Sequence, residues 1–465
     1  MATIETTLDH LDLGENNHHA VGLRRNALNF TETLAQSIAN IAPTATPAVN
    51  LQLVFASSGN GTWFTYLLAT LGLLLIGVCI NQFATRTSTP GSLYSYVTQG
   101  LGPTAGFITG WGLILAYLTT GIAVVAYCAI YAQILLTKID IHAKPMVLFL
   151  VVVGVTWAIA FRDIRLSTKM MLALEAISVS LILILGIVML SHSGLHLGDQ
   201  LALKGVTFNG LQSGMVLAVF SFVGFESATA LGAEAQNPKK TIPRAVLMST
   251  IGAGSFFMLM SFIMVSGLSS AELTDPNLVA LDGMAKVAHA PVLGILTSVG
   301  AMVSLFACSL ACVTATSRIL MTMARDGLIH ASIGKAHATH STPHIASAVS
   351  AILMIVVLAV LALKGYGALD IYNMNGTIAT YGFLLAYVLI AVGSVVAAIR
   401  EKVVSPILIG SAVIGILFMG LAVKGSVSPW PPAPDNYLPQ IFAGYLVLGI
   451  LWMLFDRRRT KTAAA

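Results

Sequence analysis

The chain is a succession of long apolar runs separated by short polar segments. Because about 20 apolar residues are needed to cross the hydrocarbon core of a bilayer, each run predicts one membrane-spanning helix. The pattern therefore predicts an all-α integral membrane protein with 12 transmembrane helices. The predicted spans are 31–56, 63–84, 104–136, 145–161, 168–191, 211–235, 244–268, 287–324, 344–363, 371–398, 404–424 and 438–455.

Two of these runs contain residues that a continuous helix disfavours. The first carries Pro43 and Pro47, each of which removes a backbone donor and clashes with the preceding turn. The sixth carries Gly224, which permits non-helical backbone, and Glu226, a carboxylate that costs ~2.5–3.5 kcal/mol at the centre of a spanning helix. We predict that helices 1 and 6 are unwound mid-membrane and that the freed backbone groups line a site. The alternative is two kinked helices, the second with a satisfied core glutamate.

The two breaks divide the first ten spans into two sets of five. Interrupted helices at matching positions of two halves are typical of inverted-repeat transporters. We therefore expect a first repeat at 31–191 and a second, inverted repeat at 211–398, followed by two additional helices at 404–455. The ends are expected to be a cytoplasmic tail at 1–30 and a basic cytoplasmic tail at 456–465.

Composition and charge agree with a membrane location. The chain is 56% hydrophobic and 9% charged, whereas soluble domains carry about 25% charge. Most of its 24 lysine and arginine residues flank spans on the side of the N-terminus, which predicts that both termini are cytoplasmic. The net charge of +5 lies in these flanking loops, so it does not indicate nucleic-acid binding. We expect a multi-pass protein of a plasma membrane or bacterial inner membrane.

The motifs of several enzyme and motor classes are absent from the sequence. There is no P-loop, no H-E-x-x-H and no G-x-S-x-G, so we predict no ATP motor, no catalytic residues, no metal site and no cofactor. The cysteines all fall inside apolar runs, where a disulfide framework is not expected. They are Cys79, Cys128, Cys308 and Cys312.

Three further polar residues inside spans are candidates for function. Glu175 either pairs with Lys169 or Arg165 near the membrane surface or sits deeper as a proton carrier. Tyr117 lines the cavity or packs as a core aromatic. Arg318 is expected to bind an acidic partner or backbone carbonyls.

Three stretches resemble the amino acid–polyamine–organocation permeases. The sequence GFESATALGAEAQNPKKTIPRAV, from Gly224 to Val246, resembles the sixth span and following loop of that family. Pro90-Gly91-Ser92 after span two and Arg325-Asp326-Gly327 after span eight are similar to its loops. The resemblance implies a LeuT-type five-plus-five inverted repeat with two added helices, and alternating access without ATP.

The resemblance also implies where substrate binds. In this family the unwound part of span one offers backbone amides to an amino acid's carboxylate, and that of span six offers carbonyls to its ammonium group. Tyr117 is a further candidate. The implied substrate residues are Asn40, Ile41, Ala42, Pro43, Thr44, Ala45, Phe220, Val223, Gly224, Phe225 and Glu226.

Two departures from the family pattern leave the substrate and the ion open. Pro43-Thr44-Ala45 replaces the usual glycine-small-glycine, so a carboxylate would rely on the amides of Thr44 and Ala45, and a decarboxylated amine is an alternative substrate. Ser178 stands where some proton-coupled relatives carry lysine. Either Glu175 or Glu226 carries a proton, or Ser178 helps to hold sodium.

The function expected from these features is import of an amino acid, coupled to protons, by a secondary permease. The alternatives are a transporter or exchanger of an amine or polyamine, and a membrane receptor or sensor that does not transport.

Overall fold

A computed structural model describes residues 22–162, 164–275, 279–428 and 430–463. Most of the expected N-terminal tail, residues 1–21, lies outside the described residues, as do Ala464 and Ala465. The last helix continues to Ala463, beyond the predicted end of the last span at 455.

The described residues form helices and turns, with one isolated β-bridge between Leu28 and Ala235. The α-helices are α1 (Phe30–Ile41), α2 (Leu51–Ser58), α3 (Thr62–Ala84), α4 (Ser92–Leu101), α5 (Pro103–Thr137), α6 (Pro145–Arg162), α7 (Ile164–Ser193), α8 (Gly198–Leu201), α9 (Phe208–Phe220), α10 (Pro238–Gly267), α11 (Ser270–Thr274), α12 (Ala280–Val287), α13 (Pro291–Arg325), α14 (His344–Leu363), α15 (Ala368–Arg400), α16 (Pro406–Val427) and α17 (Leu438–Ala463).

Ten helical stretches of the described chain are long and apolar enough to cross a membrane. The first, Phe30–Ala84, contains both the first and the second predicted spans, because only short segments separate α1, α2 and α3. The sixth predicted span, 211–235, contains only the shorter apolar helix α9. Large hydrophobic side chains such as Leu363 and Ile407 are exposed on the outer helices, as expected of a surface that faces lipid.

Helix α5 lies at the centre of the molecule, between α13 and α15. In its apolar window 89% of residues are buried, against 17% in that of the peripheral α6. Small residues allow the close approach of α5 and α15: a Cβ at Gly382 would lie 2.7 Å from the carbonyl oxygen of Gly112. The core helices are therefore held at a short separation that larger side chains would prevent.

Both segments predicted to be unwound interrupt their helices. Helix α1 ends at Ile41, and Ala42 takes a left-handed conformation with φ of 48°. The chain resumes helical structure only at the π-helical turn Thr46–Asn50. Helix α9 ends at Phe220, and residues 221–226 form turns before the 3₁₀ turn Ser227–Leu231. The paired breaks read from the sequence are present in the structure.

Candidate functional site

The two helix breaks meet at Asn40 and Gly224. Gly224 has φ of +87°, and a Cβ added there would lie 1.6 Å from Asn40 Nδ2. Only glycine satisfies both the left-handed backbone and the lack of space. The amide of Asn40, at the end of α1, therefore lies directly against the backbone of the second break.

Two hydrogen bonds fasten α1 to the segment after the second break. Ser37 Oγ accepts from the Ala228 N–H at 3.0 Å. Ser227 Oγ donates to the Gln36 carbonyl oxygen at 3.1 Å. All four residues are buried. Because both bonds cross between α1 and residues 227–228, separation of these two segments must break them.

One end of the second break forms the Glu226 cluster, which consists of Tyr117, Glu226 and Tyr387. Glu226 is 0% exposed. Its Oε1 accepts from the Tyr117 hydroxyl of α5 at 2.6 Å, and its Oε2 accepts from the Tyr387 hydroxyl of α15 at 2.7 Å. Among the described residues, no cationic side chain pairs with this carboxylate. Hydrogen bonds from two tyrosine hydroxyls therefore offset part of the cost of burying this carboxylate.

The other end of the break forms the Tyr372 cluster, which consists of Asn50, Tyr66, Ser221 and Tyr372. The Tyr372 hydroxyl donates to Asn50 Oδ1 at 2.7 Å, and Asn50 Nδ2 donates to Ser221 Oγ at 3.1 Å. The Tyr66 hydroxyl lies 3.2 Å from the same Ser221 oxygen. The ring of Phe220 packs edge-on against Tyr372, with centroids 5.9 Å apart. This cluster is buried and uncharged.

The two residues predicted to couple ions on α7 both face α13. Glu175 is 2% exposed, and its carboxylate oxygens accept from Ser304 Oγ at 2.8 and 2.9 Å. Lys169 lies instead 4.0 Å from Glu32, so the expected pairing of Glu175 with Lys169 is not found. The side chain of Arg165 lies outside the described residues. Glu175 is thus buried against Ser304 of α13, and its role as a proton carrier stays a prediction.

Ser178 connects α7 to the first break. Its Oγ donates to the Gly300 carbonyl oxygen at 2.7 Å and lies 3.1 Å from Thr44 Oγ1. Three oxygen atoms from three different segments therefore converge at a buried point beside the first break.

The backbone amides of the first break are largely occupied. The Ala42 N–H donates to the carbonyl oxygens of Ile38 and Ala39 at 3.1 and 3.2 Å. Pro43 has no N–H, and the Ala45 N–H donates to the Ala42 carbonyl oxygen at 2.8 Å. The Ala45 amide, one of two expected to hold a carboxylate, is therefore already bonded within the break.

Every residue predicted to bind substrate is buried at one of the two breaks or on a helix beside them. Ile41 is the last residue of α1, and Phe225 packs against the ring of Tyr387 with centroids 5.4 Å apart. The buried set is Asn40, Ile41, Ala42, Pro43, Thr44, Ala45, Tyr117, Phe220, Val223, Gly224, Phe225 and Glu226. Their role as substrate ligands stays a prediction.

Sequence reasoning missed several partners at the breaks. Tyr387, Asn50 and Ser304 were not singled out, because no local pattern shows which residue of a distant helix reaches a given carboxylate or hydroxyl. Cys308 and Cys312, one turn apart on α13, were noted only as cysteines inside an apolar run. Their Sγ atoms each lie 3.2 Å from an oxygen of Asn40, the first from the carbonyl and the second from Oδ1.

A buried ion pair fixes the chain beyond the second break. Arg318 Nε and Nη2 donate to the two carboxylate oxygens of Glu234 at 2.7 and 2.9 Å, and Nη1 donates to the Thr314 carbonyl oxygen at 3.0 Å. The Glu234 carbonyl oxygen accepts from the N–H groups of Ala27 and Leu28. Arg318 therefore has both kinds of partner expected from the sequence.

The described residues are helical with ten candidate spans, and two helix breaks meet beside a buried carboxylate. These features define a multi-pass membrane protein of the permease class. The chain belongs to the amino acid permease family, whose sequence model matches residues 33–425. This confirms its membership of the amino acid–polyamine–organocation superfamily.

Relatives of several kinds are similar to this chain. A branched-chain amino acid permease, BcaP of Bacillus subtilis (strain 168), is 24% identical over 87% of this chain and 88% of its own. Cationic amino acid transporter 4 of Mus musculus is 24% identical over 72% of this chain and 54% of its own. The low-affinity putrescine importer PlaP of Escherichia coli (strain K12) is 25% identical over 60% of this chain and 62% of its own.

Proposed function

We propose that this protein is a secondary permease that imports an amino acid by alternating access, with substrate held between the two helix breaks. The observation that carries the proposal is the contact of Asn40 with Gly224, which brings both breaks to one buried point. Broken helices supply free backbone donors and acceptors inside a membrane, where a transported zwitterion needs them. The relatives act on branched-chain amino acids, cationic amino acids or putrescine by their names, which keeps an amine as the second candidate.

One cluster at each end of the second break supports a transport cycle in which the two ends open in turn. The Tyr372 cluster joins the π-helical turn Thr46–Asn50, α3 and α15 across the start of the break, and the Glu226 cluster joins α5 and α15 across its end. Alternating access requires one closure to open while the other holds. In the proposed topology, ten spans form two inverted repeats, two helices are added, and both termini are cytoplasmic.

We further propose that transport is coupled to protons. Glu226 and Glu175 are buried, and each is bonded through its side chain only to hydroxyl groups among the described residues. A buried carboxylate without a cation is costly when ionised, which favours exchange of a proton at one of them. Sodium is the alternative, because the oxygens of Ser178, Thr44 and Gly300 already converge at one point.

The test is uptake of radiolabelled amino acids into proteoliposomes under an imposed proton gradient or sodium gradient. The Glu226→Gln variant should fold and lose most of its uptake, because the amide cannot exchange a proton. Glu272→Gln is the control, since Glu272 is a half-buried glutamate that caps α11 and belongs to neither cluster. Wild-type uptake in Glu226→Gln would remove this carboxylate from the mechanism. Uptake that follows sodium alone would replace proton coupling by the Ser178 alternative.

A further inference from the structure

Asn40 has a buried donor that no protein atom uses. Its side chain is 2% exposed, and Nδ2 has no hydrogen-bond acceptor within the described chain. Its other polar atoms are engaged: Cys312 Sγ lies 3.2 Å from Oδ1 and Cys308 Sγ lies 3.2 Å from the carbonyl oxygen. A thiol can donate to Oδ1, so this contact directs the NH₂ group away from α13 and toward Gly224.

Twelve buried side-chain nitrogen or oxygen atoms of the described residues lack a partner, and Asn40 Nδ2 is the one amide nitrogen among them. Most buried polar side-chain atoms have a partner, and each exception calls for a reason such as a ligand. The donor stands at the meeting point of the two breaks, where the proposed substrate binds. An acceptor carried by the substrate would remove the energetic cost of leaving this amide unpaired.

The backbone of the first break offers few free N–H groups to a substrate carboxylate. Pro43 has no N–H, the Ala42 N–H bonds within α1, and the Ala45 N–H bonds to Ala42. Among residues 43 to 45, only Thr44 has a backbone N–H that is neither missing nor bonded in this way. One backbone amide is a poor counterpart for a carboxylate, which has two oxygens and about four acceptor positions.

We propose that Asn40 Nδ2 donates to the carboxylate of the substrate and thereby replaces the backbone donor that Pro43 removes. The inference rests on the proposed function and names its substrate class: an α-amino acid rather than the corresponding decarboxylated amine. An amine offers no carboxylate at this position, so it would leave the Asn40 donor unused. Asn40 is thus the residue that sets the preference between the two classes.

The experiment compares each amino acid with its own amine on purified full-length protein in detergent. The probe pairs are L-leucine with 3-methylbutylamine, L-arginine with agmatine, and L-ornithine with putrescine. Ligand-induced rises in melting temperature give the affinity of each probe. Wild-type protein should bind the amino acid of at least one pair at least about tenfold more tightly than its amine, as expected for a hydrogen bond to a charged group.

Three variants then isolate the Asn40 amide. Asn40→Ala should abolish the preference by weakening the amino acid about tenfold or more while leaving amine binding unchanged. Asn40→Asp keeps the shape but presents acceptors and negative charge, so it should reverse the preference, and it carries the test if the alanine variant does not fold. Asn375→Ala is the matched control, because Asn375 is also buried but its Nδ2 already donates to the Ile371 carbonyl oxygen at 2.8 Å.

The outcomes separate this inference from the proposed function. If Asn40→Ala weakens both members of a pair equally, or neither, Asn40 has only a structural role and the inference is overturned. Tighter wild-type binding of the amines would also overturn it while leaving transport intact. If no probe of either class stabilises wild-type protein and none is taken up by proteoliposomes, the proposed function itself fails and the inference fails with it.

Discussion

The Tyr372 cluster and the Glu226 cluster lie at opposite ends of the same turn segment, 221–226, yet they differ in charge. The first is made of hydroxyl and amide groups, which keep the same charge over the physiological pH range. The second holds a carboxylate between two tyrosine hydroxyls. Only a titratable group can respond to a change in pH. Any pH response of these two clusters must therefore arise at Glu226.

The two clusters also have the same structural role. Each satisfies polar groups of a helix that has been interrupted, and each does so with side chains from α15, Tyr372 at one end and Tyr387 at the other. Helix α15 therefore touches both ends of the break. A small tilt of α15 against the break would favour one cluster over the other, which is the kind of two-state element that alternating access needs.

The largest effect is expected at the point between the clusters. Gly224→Ala places a Cβ 1.6 Å from Asn40 Nδ2 at a φ of +87°, so either the break or α1 must move. We expect loss of uptake by at least about 100-fold, since the left-handed strain alone costs about 1–3 kcal/mol and the clash adds to it. Proteoliposome uptake and melting temperature measure the effect. Gly252→Ala on α10 is the control, because nothing lies within 4 Å of its added Cβ; wild-type uptake in Gly224→Ala would contradict the described contact.

A paired tyrosine exchange tests the difference in charge directly. Tyr387→Phe removes a hydrogen bond to a carboxylate, worth about 1.5–3 kcal/mol when ionised, whereas Tyr372→Phe removes a neutral one worth about 0.5–1.5 kcal/mol. We expect Tyr387→Phe to lower the melting temperature more at alkaline than at acidic pH, because ionised Glu226 needs the donor more. The loss in Tyr372→Phe should not change with pH. Equal losses at every pH in both variants would show that Glu226 stays in one protonation state.

The smallest effect is expected at the edge of the Tyr372 cluster. Gly376→Ala brings a Cβ to 2.8 Å from Cζ of Phe220, which is the far end of a side chain that can rotate. We expect uptake to fall less than about tenfold, with a change in melting temperature equivalent to about 1 kcal/mol, because the ring of Phe220 can rotate away. Transport assays at varied substrate concentration measure it. A complete loss of uptake would mean that the Phe220 ring has no freedom to move during the cycle.

Local chemistry was enough to predict the two breaks. Pro43 and Gly224 act through their own backbones, and Glu226 is conspicuous because a carboxylate is rare in an apolar run. The family motif that begins at Gly224 then gave the fold class. What each residue does to its own segment can be read from sequence alone.

Contacts between distant segments could not be predicted in the same way. Tyr387 was one of several tyrosines in apolar runs, and only the packing of α15 against α5 shows that it reaches Glu226. The described chain has ten candidate spans where the sequence predicts 12, and the reason is related. Only the short break after Ile41 and turns of π and 3₁₀ type separate α1, α2 and α3, so they form one apolar stretch. The sixth run contains an α-helix of only 13 residues.

The ion pair of Glu234 and Arg318 has a consequence for how the chain is made. The residues that enter α1, Ala27 and Leu28, hydrogen-bond to Glu234, which in turn is held by Arg318 of α13. Both partners are synthesised long after α1 leaves the ribosome. The N-terminal entry to α1 therefore gains these partners only after Arg318 has been synthesised, so a chain that ends before α13 should lack this closure.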